Sequence, residues 1–221
     1  MFQPKSIALR LALFALLYVA LIIPWPGWGV VSGVWFRSIG RTVFAPVSGA
    51  RKLTFEKVGV EPRPNVTRIE IENLNLMQED GSGPVRYYDV DALSFAWHPT
   101  ALVFSLIICT PVPWRRKGWA LLWGFVCIHI AIYALLAFNI WIESAEVSLV
   151  TFSPTGRHIA EGVRDFLLWQ LSTVVPVVIW LLVTFRKEDD LGAMIGWFFP
   201  AAKGEKPGKP QSAPARKEGG G

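Results

Sequence analysis

Few side chains in this sequence have the chemistry that catalysis or metal binding requires. The chain has three histidines and two cysteines among its 221 residues. Imidazole and carboxylate groups that converge can bind a metal or transfer protons. The polar candidates are His98, His129, Glu143, Arg157, His158 and Gln170. None belongs to an HExxH or comparable ligand pattern, so we predict no catalytic residue and no metal site from spacing alone.

Four of these candidates stand at the ends of apolar runs. His98 precedes one run, Glu143 follows the next, and Arg157 and His158 precede the last. If those ends share one membrane face, the side chains can meet and form a His/Glu site. The chain would then be a membrane-embedded enzyme or a metal-dependent factor. The alternative is that they are solvated at the interface, as polar residues there usually are.

The remaining candidates lie inside apolar runs. An ionisable residue within a membrane merits a functional hypothesis, but we expect His129 and Gln170 to hydrogen-bond to a neighbouring helix. Cys109 and Cys127 have no CxxC or metal-ligand spacing, so they should pack as small apolar residues. No nucleotide-binding, nucleophile-elbow or haem motif occurs, and we predict no cofactor.

Four uncharged or nearly uncharged apolar runs must position these side chains. They cover residues 7–23, 99–113, 119–141 and 166–185. Hydrophobic residues make up 52% of the chain, and a soluble domain cannot bury several runs of near-bilayer length. A secretory signal is the alternative for the first run. Prolines and tryptophans follow it in place of a small-residue cleavage site, so we predict an uncleaved anchor.

Basic residues flank the four runs in one consistent pattern. Lys5 and Arg10 stand at the first run, residues 115–117 separate the second and third, and Arg186 and Lys187 follow the fourth. The positive-inside rule then places all three clusters, and both termini, in the cytoplasm. Because these charges flank spans and form no basic stripe, we predict contact with the lipid bilayer and no nucleic-acid partner.

The segment between the first two runs has a different pattern. Residues 53–58, 66–76 and 85–95 alternate between apolar and polar, and residues 78–84 contain two glycines typical of a turn. We therefore predict three short strands around one hairpin. Such a sheet is too small to be stable alone and should pack on the membrane, the spans or a partner.

Other segments outside the spans have weaker patterns. Residues 145–152 are a fourth strand candidate that would extend the sheet. Residues 35–44 have apolar positions at helical spacing, which predicts a helix lying in the interface or one packed on the outer region.

The predicted fold class is therefore membrane α-helical, with four transmembrane helices and a small extracytoplasmic β-rich cap (α+β). The expected organisation is a first anchor (1–28), a β-rich outer region with the interfacial helix (29–97), spans two and three (98–141), an outer loop (142–165), span four (166–187), and a cytoplasmic interfacial segment with a disordered tail (188–221).

The order of these features resembles the small membrane proteins encoded beside exosortases, particularly the exosortase H-associated group. The resemblance covers roughly residues 1–186. Besides the first anchor with its Trp/Pro exit and the β-rich outer segment, it rests on His98-Pro99-Thr100-Ala101-Leu102, Thr110-Pro111 before the basic cluster, Trp169-Gln170 and Val175-Pro176.

This resemblance implies an inner-membrane partner of the system that processes and sorts carboxy-terminally tagged surface proteins in Gram-negative bacteria. Exosortases use a membrane-embedded Cys with Arg and His near the outer face. Here Cys109 would lie near the cytoplasmic end of its span and Cys127 in mid-membrane, so the chain does not resemble the protease. The resemblance therefore implies a non-catalytic accessory protein with an exosortase-like partner.

Overall fold

The computed structural model of the chain describes residues 4–23, 25–44, 51–58, 65–78 and 83–185. Within these residues the elements follow the order α1 (Pro4–Ile22), α2 (Trp28–Phe44), β1 (Arg51–Lys57), β2 (Val66–Asn73), β3 (Val85–Asp91), α3 (His98–Cys109), α4 (Trp114–Glu143) and α5 (Pro154–Thr184). A 3₁₀-helical turn, Leu74–Leu76, follows β2, and a π-helical segment, Leu93–Trp97, leads into α3. The predicted mostly helical fold with a small sheet is confirmed.

The four apolar runs form α1, α3, α4 and α5. Two of these helices, α4 and α5, are long and apolar enough to cross a membrane, with mean hydropathies of 2.3 and 2.2 over their most apolar windows. At 1.5 Å per residue each is about 45 Å long. The apolar helices Ala8–Ile22 and Leu93–Cys109 are shorter.

Helix α3 lies at the centre of the helical part, where it packs against α1, α4 and α5. Its residues Ala101, Val103 and Ile107 are completely buried. Gly124 of α4 allows the close approach, because a side chain there would meet Ile107 and Val103 at 2.9–3.0 Å. The shortest apolar run is therefore the one enclosed by the others.

The three strands form an antiparallel sheet in the order β1-β2-β3. The alternation predicted for β2 holds, since Thr67, Ile69 and Ile71 are completely buried on one face. The other face has ion pairs, including Lys52–Glu72 at 2.8 Å and Arg68–Asp89 at 2.9 Å. A sheet with one buried and one solvated face explains the period of two.

The predicted third strand is correct only as far as Asp91. Residues 92–97 are helical, although the sequence analysis extends the strand to residue 95. The Asp91 carboxylate accepts hydrogen bonds from the backbone N–H of Leu93 (2.9 Å) and Ser94 (3.4 Å), which caps the start of the helical segment. The alternation of apolar and polar residues therefore extends into the first turn of a helix, where it does not indicate a strand.

The fourth strand predicted at residues 145–152 is wrong. The chain forms successive turns there, and Ser148 adopts a left-handed conformation with φ of 58°. The N–H of Leu149 donates to the carbonyl of Ser144 at 3.1 Å. The Val147 carbonyl, which a strand would present to a neighbour, accepts from the Asn73 side chain at 2.8 Å. This loop therefore contacts the sheet through a side chain.

Helix α2 packs on the sheet, as the second of the two sequence hypotheses expects. Phe36 and Phe44 are buried, and the Phe44 ring stacks on Phe55 of β1 with 5.9 Å between centroids. The opposite apolar residues Val34 and Trp35 are about half exposed, so an interfacial position of that face stays a prediction. The centre of the predicted turn (79–82), the cations at 186–187 and the predicted interfacial segment and tail (188–221) lie outside the described residues.

Close packing at Gly40 makes a testable prediction. A Cβ at this position would lie 2.7 Å from the ring of Phe55, which is buried and cannot move aside. We expect Gly40→Ala to lower the free energy of unfolding by about 1–2 kcal/mol, measured by unfolding in detergent. Gly162→Ala is the matched control, since nothing lies within 4 Å of its Cβ. It should leave stability unchanged or raise it by up to about 1 kcal/mol. Equal effects of the two changes would contradict the packing of α2 on β1.

Candidate functional site

The carboxylate of Glu143 joins three elements at the end of the molecule where the sheet lies. Glu143 is the last residue of α4, and its side chain is 11% exposed. Arg86 of β3 places its Nε 2.9 Å from Oε2, and Arg164 of α5 places an Nη1 3.5 Å from Oε1. One carboxylate therefore holds two guanidinium groups, the arrangement that satisfies a buried charge.

Tyr88 lies beside this cluster. Burial raises the pKa of its phenol, with the Glu143 carboxylate acting in the same direction and Arg164 opposing both. A raised pKa keeps the phenol protonated throughout the physiological range. The hydroxyl therefore remains neutral beside Glu143 and Arg164.

A second group of charges links the end of α4 to the start of α5. Arg157 forms ion pairs with Glu146 and Glu161, the latter at 2.9 Å. The hydrogen bond between Arg157 and Glu161 raises the pKa of the guanidinium and lowers that of the carboxyl. His158 Nδ1 is 3.8 Å from Glu161, but its side chain is 88% exposed. This group is a solvated ion-pair network.

The structure brings two of the predicted polar candidates together. Arg157 and His158 both lie near Glu161, whereas Glu143 belongs to the separate cluster with Arg86 and Arg164. His98, half-buried at the start of α3, makes no ion pair or hydrogen bond to them in the part of the chain described here, and Gln170 makes no side-chain hydrogen bond there. Within the same residues no group of three His, Cys, Asp or Glu side chains could hold a metal ion.

His129 occupies a different environment. It lines an apolar cavity of about 210 Å³ between α2, α3 and α4, together with Trp28, Trp97 and Tyr133. Its Nδ1 lies 2.9 Å from the carbonyl of Phe125, so Nδ1 carries the proton and donates. The partner is four residues back in the same helix, whereas the sequence analysis expected a neighbouring helix. The two cysteines are free and half-buried.

A cleft of about 300 Å³ adjoins the Glu143 cluster through Tyr88. One wall is the strand β3, which contributes the four consecutive residues 88–91. The other wall is α5, with Leu168 and Leu171, and Phe95 also lines the cleft. Arg68 hydrogen-bonds Asp89 and lowers the pKa of that carboxyl, so Asp89 is ionised at neutral pH. The cleft thus combines apolar side chains with exposed carboxylates and one edge of a strand.

Sequence reasoning did not identify Arg86 or the cleft. Arg86 shares the face of β3 on which Tyr88 and Val90 lie against the core. A charged residue at a core-facing position of a strand implies a buried partner. The alternation of β3 could therefore have predicted that Arg86 has such a partner. The partner, Glu143, is 57 residues away, so its identity required the tertiary structure.

Comparison of the chain with protein-family models, with curated proteins and with solved structures finds no match.

The Glu143 cluster makes a second testable prediction. Glu143→Gln should lower the free energy of unfolding by about 1–3 kcal/mol, because it leaves two guanidinium groups without their carboxylate. Double-mutant cycles with Arg86→Gln and with Arg164→Gln should each give a coupling energy of about 0.5–3 kcal/mol. The exposed Glu56, changed to Gln, serves as the control and should show no coupling with either arginine. A zero coupling to Arg86 would mean that the sheet is not held by this carboxylate.

Proposed function

We propose that this chain is a four-span inner-membrane protein and a non-catalytic accessory partner of an exosortase-type sorting and processing enzyme. The sheet and the outer cleft lie on the extracytoplasmic side in this proposal, and both termini lie in the cytoplasm. The observation that carries it is the exposed apolar surface of the helices.

Apolar side chains cover the outside of the helical part. Leu9 of α1 is 70% exposed, Ile130 of α4 is 64% exposed and Leu182 of α5 is 74% exposed. Many of their neighbours on the same helices are also exposed and apolar. Soluble monomers rarely expose contiguous apolar patches beyond a few hundred Å². Surrounding hydrocarbon chains would solvate this surface.

Four spans are favoured over two by the position of the shorter helices. α1 and the helical stretch 93–109 have lengths of about 25–28 Å, a few Å below the thickness of a typical hydrocarbon core. Tilting or local thinning of the bilayer accommodates such a mismatch at modest cost. Helix α3 exposes little surface to lipid, because α1, α4 and α5 pack around it. It therefore occupies the position of a central span.

The orientation is supported by what lies at the two ends of the helices. The sheet, the Glu143 cluster and the start of α5 lie at one end. At the other end Lys117 donates to the carbonyl of Ile108 at 2.6 Å and lies over the ring of Trp114, with 4.7 Å to its centroid. Tryptophan is typical of either membrane interface, and an excess of cations is typical of the cytoplasmic one.

The accessory role is supported by the outer part of the molecule. The charged side chains at the α4–α5 junction neutralise one another in ion pairs, which favours a structural role for them. The cleft between β3 and α5 is open and has apolar side chains bordered by exposed polar ones, which is the apolar centre and polar rim of a protein interface. The resemblance to exosortase-associated proteins supports an exosortase-type enzyme as the partner.

Reporter fusions test the proposed topology. Alkaline phosphatase, active only outside the cytoplasm, should be active when fused after residues 60 and 155 and inactive after residues 116 and 210. Green fluorescent protein fused at the same four positions provides the reciprocal control. If the fusions after residues 60 and 116 reported the same compartment, the four-span topology would be refuted.

Copurification tests the accessory role. The tagged full-length chain, extracted from its native membranes in mild detergent, should carry a second membrane protein in a fixed stoichiometric ratio, and mass spectrometry should identify an exosortase-type enzyme. An unrelated four-span protein with the same tag should not recover it. A monodisperse chain of 24.7 kDa without a partner would count against the proposal.

A further inference from the structure

The two edges of the sheet have different backbone surroundings. Hydrogen bonds in an antiparallel pair involve every second residue of each strand. Ala92 N–H donates to the Asn65 carbonyl and Asn73 N–H donates to the Pro84 carbonyl. In the observed register, the backbones of residues 86, 88 and 90 therefore face β2. The N–H and C=O groups of residues 85, 87, 89 and 91 face away from it.

One outward group on the edge formed by β1 is occupied by a side chain of α2. Val58 N–H donates to the Val66 carbonyl, so residues 51, 53, 55 and 57 face outward by the same reasoning. Arg41 of α2 donates to the outward carbonyl of Phe55 through Nε at 3.2 Å and Nη2 at 2.6 Å. Helix α2 packs on the buried face of the sheet, and Arg41 reaches from it to this edge, where it occupies a group that a further strand would need.

The edge formed by β3 is open. In the described part of the chain, the outward groups at residues 85, 87, 89 and 91 make no backbone hydrogen bond to another element. The cleft lies directly beside this edge, because four consecutive residues of the strand line it. Side chains alternate between the faces of a strand, so a cleft lined by residues of both faces borders the edge. It lies beside residues 88–91 and continues past the end of the strand to Phe95 and Pro99.

The side chains around the cleft define what could lie in it. On the core side the half-buried Leu168 and Phe95 present apolar surface, with Leu171 almost fully buried behind them. On the solvent side Asp89 and Asp91 are exposed, but Asp89 is paired with Arg68 and Asp91 caps the following helical segment, so this side is polar without a free charge. An extended segment beside β3 would therefore direct alternate residues to an apolar wall and to a polar surface.

We propose that the edge of β3 binds an extended peptide segment of the partner protein as a fourth strand. The segment alternates apolar residues, which pack on Leu168 and Phe95, with polar residues, which lie on the side of Asp89 and Asp91. Main-chain hydrogen bonds provide the affinity and alternate side chains the specificity, as in other cases of strand addition. This inference rests on the proposed function only for the existence of a partner at the outer face.

Paired substitutions at Tyr87 and Tyr88 test the role of the backbone. Tyr87→Pro removes an outward N–H and leaves the hydrogen bonds to β2 in place, which is the position where an edge strand tolerates proline. It should lower partner binding by about tenfold. Tyr87→Ala keeps the N–H and should bind within about twofold of the parent chain. Tyr88→Pro removes an inward N–H and should instead destabilise the sheet, which an unfolding measurement separates from a loss of binding.

Amide hydrogen exchange in nanodiscs, resolved to single residues, tests the edge itself. In the isolated chain the amides of Arg86, Tyr88 and Val90 should exchange slowly and those of Tyr87 and Asp89 rapidly. In the copurified complex the amides of Tyr87 and Asp89 should become protected. Rapid exchange of both in the complex, or unchanged partner binding by Tyr87→Pro, would overturn the proposal.

Binding of a synthetic peptide provides a test that does not depend on the copurified partner. The probe is a capped heptapeptide of alternating valine and lysine, and its control is the same peptide with every amide N-methylated. The first should protect the amides of Tyr87 and Asp89, and the second should not. If no partner copurifies, the proposed function fails and the peptide alone decides the inference. Protection that appears only at high concentration of the chain alone would assign the edge to a second copy and overturn the proposal.

Discussion

The small sheet has to be held by the helices, because three short strands bury too little apolar surface to be stable alone. Glu143 provides one such attachment through charge. It terminates a long apolar helix, and its carboxylate accepts from Arg86 of the sheet and pairs with Arg164 of the next helix. Without that carboxylate, two cations would converge at a partly buried point. The position of β3 relative to α5, and hence the cleft between them, depends on this arrangement.

Apolar contacts complete the attachment. Phe36 of α2 lies against Phe95 and Tyr133, which belong to the helical part, with ring centroids 6.2 and 5.9 Å apart. Phe44, at the end of the same helix, stacks on the strand residue Phe55. Helix α2 thus connects the sheet to the helices by its buried face. Its exposed apolar face, which includes Val34 and Trp35, is left for lipid in the proposed topology.

The two edges of the sheet differ in their surroundings. Arg41 of α2 occupies an outward carbonyl of β1, whereas the outward groups of β3 make no backbone hydrogen bond to another element in the described residues. There the fold provides a cleft in which one wall is backbone and the other is the apolar surface of α5. In the proposed accessory protein this edge would face the partner at the outer surface of the membrane.

Local patterns in the sequence were sufficient for the helices and for most of the sheet. Uncharged runs predict α1, α3, α4 and α5, and the alternation around Ile69 and Ile71 predicts a strand with one buried face. Alternation between apolar and polar residues gave a wrong prediction in two segments. Alternation continued past Asp91, where a side-chain cap starts a helix, and it was present at residues 145–152, where turns follow the end of α4. Short alternating stretches do not distinguish strands from turns when the competing hydrogen bonds come from side chains.

What the sequence determined by itself was the apolar periodicity and the placement of charge along the chain, because both depend only on neighbouring residues. The tertiary structure decided which charges meet. Arg86 and Glu143 are 57 positions apart, and His98 lies outside the group that Arg157 and His158 join. It also decided which edge of the sheet has an occupied carbonyl, since Arg41 reaches Phe55 only after α2 has packed on β1. Such pairings depend on how whole elements pack, and no local spacing specifies that.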